Sequence, residues 1–430
     1  VSPTFNLLTS VMDDMRPENK YLHLMDEQEA ITKAQALLNR QGDANVSPLA
    51  VYRHAAKADS VQQRRPNVVL IMMESMSAKF MKHFGQSETL TPFLDSLYTR
   101  SISFRNFYSA GIHTNHGLYA TLYSFPAMMK RNLMKGSVIP RYSGLPTVLK
   151  ENGYYNFFFM THEGQYDNMN AFFRTNGYDE VFSQEDYPAD KVVNSFGVQD
   201  DFLYDYAIPV LNQRAATGQP FFATLLSISN HPPYVIPPFF HPKTSEPEMQ
   251  IVEYADWALR QFFEEARKQP WFDNTIFVLE GDHGKLVGDA ECELPESYNH
   301  IPLMIYSSRI HPEEKNTFGG QVDIQPTILG LLNIDYLQNN FGVDLLKEER
   351  PCMFYTADNM IVGRNDTLLY LYNYETQQEF TYHIDNGKLK AVPMDDRFLP
   401  LKEYSFSMLQ SAEFLVKHGK TVNSVPFTQQ

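Results

Sequence analysis

Five short apolar runs, rich in aliphatic and aromatic side chains, recur along the chain at 68–73, 155–160, 221–228, 275–279 and 302–306. Each has strand length and little polar alternation, the pattern of a strand buried on both faces. Helical spacing fills the stretches between them. Thr91-Pro92 offers a cap and a first-turn proline for a helix over 93–100, and a helix over 145–151 stops at Asn152-Gly153. Residues 200–214 and 249–268 are amphipathic, and 323–332 carries Pro326 in its first turn. Buried strands alternating with helices predict an α/β fold over about 66–345, a three-layer α/β/α sandwich around a mainly parallel sheet.

The pattern changes on both sides of this region. Residues 1–65 are polar and irregular, apart from helical spacing at 27–38 and a loop at 41–43, and Pro66 ends them. They read as an arm or linker packed on the main body. Beyond about 345, strands are expected at 367–372, 379–384 and 389–392. The turn Asp385-Asn386-Gly387 separates the last two, and a closing helix spans 405–418. Residues 346–430 thus read as a small α+β subdomain.

Composition narrows the function. The 430 residues are 43% hydrophobic and 20% charged, enough for one large domain with an appendage. The 31 Phe and 25 Tyr point to a large aromatic core. A net charge of −15 without any long Lys/Arg run argues against nucleic-acid binding. A phosphate substrate is still compatible, because a bound metal reverses the local field. No stretch approaches the roughly 20 apolar residues that span a bilayer. The chain opens on Val1-Ser2-Pro3 with no signal peptide, so it reads as a piece or processed form of something longer. Cys292 and Cys352 allow one disulfide or two free thiols, and free thiols are the expectation.

Ligands of open α/β sheets bind beyond the carboxyl ends of the strands. The residues directly after each buried run are therefore informative: Glu74 after the first, Thr161-His162 after the second, Ser229-Asn230-His231 after the third and Glu280-Gly281-Asp282-His283-Gly284 after the fourth. Asp282 offers an anionic oxygen and His283 a neutral nitrogen, with glycines that let adjacent side chains face one site. The plainer alternative is a strand-end turn with a capping Asp. A carboxylate directly after six apolar residues, as at Glu74, calls for a cation or, alternatively, caps the next helix. Thr114, in Ser109-Ala110-Gly111-Ile112-His113-Thr114-Asn115-His116-Gly117, stands where a loop enters a helix. Its hydroxyl is either a simple N-cap or a group placed among free backbone N–H groups that suit phosphate.

Together the segment around Glu74, the loop and helix around Thr114, Ser229-Asn230-His231-Pro232-Pro233-Tyr234 and Gly281-Asp282-His283-Gly284 resemble the lipoteichoic acid synthase branch of the sulfatase/alkaline phosphatase superfamily. That branch includes the phosphoglycerol transferases of Gram-negative bacteria. Tyr166-Asp167-Asn168-Met169, Phe172-Phe173 and Asn176-Gly177-Tyr178-Asp179 fit it too, so the resemblance runs from about 66 to 345. It implies one divalent metal held by Glu74, Thr114, Asp282 and His283, with Thr114 as a transiently modified nucleophile and His162 and His231 near the phosphate. It also implies the extracytoplasmic part of a membrane protein, acting on a phospholipid head-group donor and a glycan or glycolipid acceptor. Two departures matter. The Trp and Arg that lipoteichoic acid synthases carry after the residue matching His162 are absent, the segment reading Asp167-Asn168-Met169-Asn170. The sulfatase nucleophile motif, Cys or Ser with a Pro and an Arg after it, is absent as well, which argues against sulfate ester hydrolysis.

The expected chemistry is phosphoglycerol transfer through a covalent Thr114 ester. His231 is the first choice of general acid. His162 and His300 orient phosphate, and Asn168 joins these three in the substrate set. His113, His116 and His300 are expected near the site, packing behind it in preference to ligating the metal. The ligand set suits Mn²⁺ or Mg²⁺ and accommodates Zn²⁺. The alternatives are a phosphoethanolamine transferase or phosphodiesterase of the same superfamily, and then a sulfatase or a binding module that has kept the fold.

Overall fold

A computed structural model of the protein describes residues 21–38, 52–55, 65–136 and 138–423. The loop expected at 41–43 lies outside them. An eight-stranded sheet forms the centre, in the spatial order Glu180–Phe182, Tyr155–Met160, Phe221–Leu226, Asn67–Met73, Thr275–Gly281, Leu303–Tyr306, Ile102–Tyr108 and Glu313–Gly320. Only Leu303–Tyr306 runs against the other seven. The fold is the expected mainly parallel α/β/α sandwich.

The period-two geometry of a strand explains why the central runs are apolar throughout. All seven residues of Asn67–Met73 are buried. Val68, Leu70 and Met72 enter one apolar cluster, which takes side chains from the helices Thr114–Tyr123, Leu145–Glu151, Met169–Thr175 and Ile324–Leu331. Val69, Ile71 and Met73 enter the other, with the helices Pro92–Tyr98, Asp200–Ala215 and Pro247–Ala266. Each such side chain stabilises the fold by about 1.5–3 kcal/mol relative to exposure.

Beyond the sandwich, Met353–Thr356, Met360–Arg364, Leu368–Asn373, Gln378–Asp385 and Lys388–Ala391 form a five-stranded antiparallel sheet under the helix Leu399–Lys417. The α+β character is as expected, with two more strands than the pattern gave. This sheet shares one apolar cluster with the first face of the sandwich: Met353, Ile361, Leu371 and Leu409 belong to the same cluster as Leu118 and Ile328. The helix Glu27–Leu38 lies against the closing helix, where Lys33 pairs with Glu403 and Lys417 with Glu27, each at 2.9 Å. Leu22, just before it, donates its backbone N–H to Glu413. Among the described residues no helix is long and apolar enough to cross a membrane.

Candidate active site

Sheet register brings two carboxylates together. Met72 lies beside Glu280 and Met73 beside Gly281, so the next residues, Glu74 and Asp282, leave the sheet side by side. The Asp282 backbone N–H donates to the Met73 carbonyl at 3.0 Å, and the Glu74 N–H donates to Ser227 Oγ at 3.0 Å. Ser75 then turns sharply, at φ 50°, in the left-handed region that a non-glycine residue enters only under constraint. The constraint is visible. Ser75 N donates to Asp282 Oδ1 at 2.8 Å, Ser75 Oγ donates to Glu74 Oε1 at 2.7 Å, and the Ser75 carbonyl accepts from Asn230 Nδ2 at 3.1 Å.

Thr114 reaches this pair from another direction. It is the first residue of the helix Thr114–Tyr123, and His113, not Thr114, takes the cap position, with no side-chain capping bond. The Thr114 hydroxyl stands 3.5 Å from Glu74 Oε2. Close approach of this helix depends on Gly117, since a Cβ there would lie 2.3 Å from the Asp282 carbonyl oxygen.

Glu74, Asp282 and His283 each offer a ligand atom, and the three atoms lie within 4.8 Å of one another. Glu74 is 2% exposed and Asp282 fully buried. His283 Nε2 is 3.8 Å from Glu74 Oε1 and 3.6 Å from Asp282 Oδ2. Its Nδ1 is 2.7 Å from the Gly284 carbonyl, which can only accept, so in the neutral ring the proton sits on Nδ1 and Nε2 keeps a lone pair. Asp282 Oδ2 is buried without a hydrogen-bond partner. Burial first, and then the adjacent Asp282 carboxylate, push Glu74 well above the usual carboxylate range. Two buried acids and a lone pair aimed together form a donor set that a divalent cation would satisfy.

The other expected residues fall into two groups. His162 is buried, with Nδ1 3.2 Å from the Glu163 carbonyl and its ring 4.6 Å from that of Tyr166; burial lowers its pKa. His231 has Nδ1 2.6 Å from the Pro232 carbonyl and its ring 4.1 Å from Phe196. The two imidazoles are close enough for His231 to disfavour the charged form of His162. Asn168, left-handed at φ 63°, donates to the Met134 carbonyl at 3.3 Å. Its neighbour Asp167 accepts from Asn115 at 3.3 Å and pairs with Lys135 at 2.8 Å, which ties this segment to the helix that starts at Thr114. His300 stands apart. Its Nε2 is 2.8 Å from the Arg105 carbonyl and its ring stacks on Tyr108, the packing position that the sequence also allowed. His116 is buried with both ring nitrogens unpartnered, and burial pushes its pKa down to about 3.

Two residues of this region escape sequence reasoning. Asp200 Oδ1 accepts from the backbone N–H groups of Ile228 and Ser229 at 2.8 and 3.1 Å, fixing the loop that carries Asn230 and His231. Burial raises its pKa to about 6. Its only sequence signal is the acidic start of the helix Asp200–Ala215. Lys285 directly follows Gly284 and is half-buried beside Asn230 and Tyr234; burial pushes its pKa down to about 8. Its adjacency to the Gly281–Gly284 motif was the available signal.

The sequence model of the Sulfatase family matches residues 66–334, the stretch that builds the sheet and all of these strand ends. The chain belongs to the sulfatase family. Within it, the curated relatives that the chain resembles are lipoteichoic acid synthases. Lipoteichoic acid synthase 2 of Bacillus subtilis is 24% identical over 315 residues, covering 66% of this chain and 47% of the relative. Lipoteichoic acid synthase 1 of the same organism is 25% identical over 354 residues, covering 76% and 54%. The chain thus spans about half the length of the curated relatives it matches. Among solved structures, an alkaline phosphatase superfamily protein from Vibrio parahaemolyticus superposes with a TM-score of 0.81 at 25% identity, covering 93% of this chain and 98% of that one. The lipoteichoic acid synthase LtaP from Listeria monocytogenes gives 0.71 at 20% identity, covering 84% and 96%, which supports the sulfatase-family fold.

Proposed function

We propose that this chain is the catalytic part of a metal-dependent phosphotransferase, moving a phosphoglycerol-type head group from a phospholipid to a glycan or glycolipid hydroxyl. The observation that carries the reading is the meeting of Glu74, Asp282 and His283, which follow two adjacent strands, with Thr114 at the start of a helix. We assign residues 66–345 to catalysis, 1–65 to an arm and 346–430 to a supporting subdomain. On this reading the domain is extracytoplasmic and reaches its lipid donor at the cell membrane through a preceding anchor.

Glu74, Thr114, Asp282 and His283 are the proposed metal ligands, a set that suits Mn²⁺ or Mg²⁺ and accommodates Zn²⁺. A divalent cation there supplies Lewis acidity, lowering the cost of a Thr alkoxide and of charge on the phosphoryl group. The Thr114 oxygen attacks phosphorus, the bond to the diacylglycerol oxygen breaks, and the head group is left esterified to Thr114. With Nδ1 tied to the Pro232 carbonyl, a protonated His231 carries its second proton on Nε2 and gives it to the departing oxygen. At His162 burial favours the neutral form, and with Nδ1 on the Glu163 carbonyl its Nε2 is an acceptor, suited to the incoming hydroxyl of the second half-reaction.

One observation favours a second reading. The Asp167 carboxylate occupies the segment where lipoteichoic acid synthases carry Trp and Arg, and an anion there would attract the ammonium of a phosphoethanolamine head group. Its existing pair with Lys135 weakens that attraction, so phosphoglycerol transfer is preferred. Labelled phosphatidylglycerol and phosphatidylethanolamine, offered in vesicles to the intact Mn²⁺-loaded protein, decide between them. Diacylglycerol release from phosphatidylglycerol is expected, with the glycerol phosphate mass trapped on Thr114. Release from phosphatidylethanolamine alone selects the second reading, and release from neither removes both.

A further inference from the structure

Lys285 presents an electrostatic anomaly. It is half-buried one residue beyond the Gly281–Gly284 motif, and its ammonium has three N–H groups to place. One donates to Asn230 Oδ1 at 2.7 Å and one to the Tyr234 hydroxyl at 3.1 Å, and both partners are neutral. Among the described residues the third N–H meets no acceptor, and Glu248 and Glu74 act on the charge only at longer range. The rings of Phe80 and Tyr234, 5.3 and 4.7 Å away, flank the cation without neutralising it. A half-buried ammonium with one N–H left over has a donor to offer an anionic ligand.

Its position says which ligand. The Asn230 that anchors Lys285 also holds the Ser75 carbonyl, and Ser75 N–H holds Asp282 Oδ1. The ammonium is therefore fixed to the same strand-end framework as the proposed metal ligands, displaced toward Tyr234. An anion centred on Thr114 with one oxygen turned toward Lys285 would meet positive charge on both sides. The backbone favours the arrangement: Gly284 packs where a Cβ would lie 2.0 Å from the Ser297 carbonyl oxygen, which fixes the direction in which the chain leaves His283.

We propose that Lys285 is a phosphate-holding residue, its free N–H taking a non-bridging oxygen of the anionic phosphodiester while Asn230 and Tyr234 keep the ammonium in place. This rests on the phosphotransferase reading for the identity of the anion, though not on Thr114 being the nucleophile. Lys285 thereby supplies, from a different strand end, a cationic contact in a site whose 167–170 segment lacks Arg.

Two measurements test it. The first uses the unaltered Mn²⁺-loaded chain: reductive methylation of lysines with and without inorganic phosphate, at matched ionic strength, read by peptide mass spectrometry. Phosphate is expected to slow methylation of Lys285 at least about fivefold and to leave the exposed Lys390 unchanged, as a charge-assisted hydrogen bond requires. Equal rates at Lys285 overturn the proposal, whatever any variant does. The second compares Lys285→Met with Lys285→Arg on bis(p-nitrophenyl) phosphate. The Met variant should raise KM and the inhibition constant of inorganic phosphate together by about tenfold, with a smaller change in kcat, and Arg should restore both to within about threefold. A folded Met variant with both constants within about twofold of the parent also overturns it. Repeating the protection in Thr114→Ala separates the two readings. Protection is expected to persist while turnover is lost, and protection with undiminished turnover retains Lys285 and removes Thr114.

Discussion

Thr114 occupies the first helical position and caps nothing, which sharpens what its removal should do. Thr114→Ala deletes no capping bond and gains helix propensity, so unfolding free energy in urea is expected to stay within about 0.5 kcal/mol of the parent. Phosphodiester turnover should fall at least about a thousandfold, as for loss of a covalent nucleophile, and Thr114→Ser should keep part of it. A folded Ala variant with normal turnover removes the covalent route. For His231 the test is the leaving group: His231→Ala should slow a natural-type diester much more than a nitrophenyl ester, which departs without protonation. Equal losses on the two would take the general-acid role from His231. Glu74, Asp282 and His283 were legible because register-paired parallel strands must deliver their next residues together. For His300 the sequence left both a phosphate contact and packing open, because it gives the place of the residue but not the direction of its ring, which Tyr108 and the Arg105 carbonyl set. Lys285 was passed over because a single lysine in a sequence carries no sign of its burial.

At the scale of elements, the long apolar strands were readable and the interrupted ones were not. Ile102–Tyr108 carries Arg105-Asn106 at a register shift against its parallel neighbour, and Glu313–Gly320 is a sheet-edge strand whose first half is largely exposed, so neither shows a buried run. Capping gives a second case. Sequence assigns the start of Pro92–Tyr98 to Thr91, yet Thr91 makes no side-chain cap bond. The free N–H groups of Phe93 and Leu94 instead donate, each at 2.9 Å, to the two carboxylate oxygens of Asp256, from the middle of the helix Pro247–Ala266. A remote cap of this kind joins two helices and is invisible to any local rule. It also carries a pH dependence. Burial outweighs the two N–H donors and raises Asp256 from 3.8 to about 7. Between these values the folded state holds a proton that the unfolded chain has released, so this group's contribution to stability declines as pH rises from about 4 to about 7. Chemical denaturation of Asp256→Asn across that range should show a flatter profile than the parent. Parallel profiles would mean that Asp256 ionises normally.

For the whole molecule, the question is whether residues 66–345 stand alone, as the change of pattern near 345 suggests. The contacts argue that they do not. The loop leading to Thr114 is bound to the first strand of the C-terminal sheet: Thr356 N–H donates to the Ala110 carbonyl at 2.9 Å, and Asn299 Nδ2 lies 3.3 Å from both the Gly111 and the Thr356 carbonyls. His113 Nε2, beside Thr114, is 2.6 Å from Asp358, on the turn after that strand. Arg350 is buried against Asp323, with Nε 2.9 Å from Oδ2, and Nη1 donates to the Tyr404 hydroxyl at 2.6 Å. Removing one partner of such a buried pair typically costs about 3–5 kcal/mol, a large share of a domain's net stability of about 5–15 kcal/mol. A chain cut after residue 345 would lose Arg350, leave Asp323 buried without its cation and expose the side of the Leu118 and Ile328 cluster that Met353, Ile361 and Leu409 now cover. The truncated protein is therefore expected to be insoluble or to lack a cooperative transition, and the full chain to unfold in a single one, followed by circular dichroism and by intrinsic fluorescence with coincident midpoints. Arg350→Met tests the same coupling without truncation. Because the pair sits at the seam, its loss should lower the one shared midpoint. Two separate transitions in the parent, or an Arg350→Met variant in which only the signal of the C-terminal sheet shifts, would show that 66–345 folds by itself and that the seam is a docking contact between independent units.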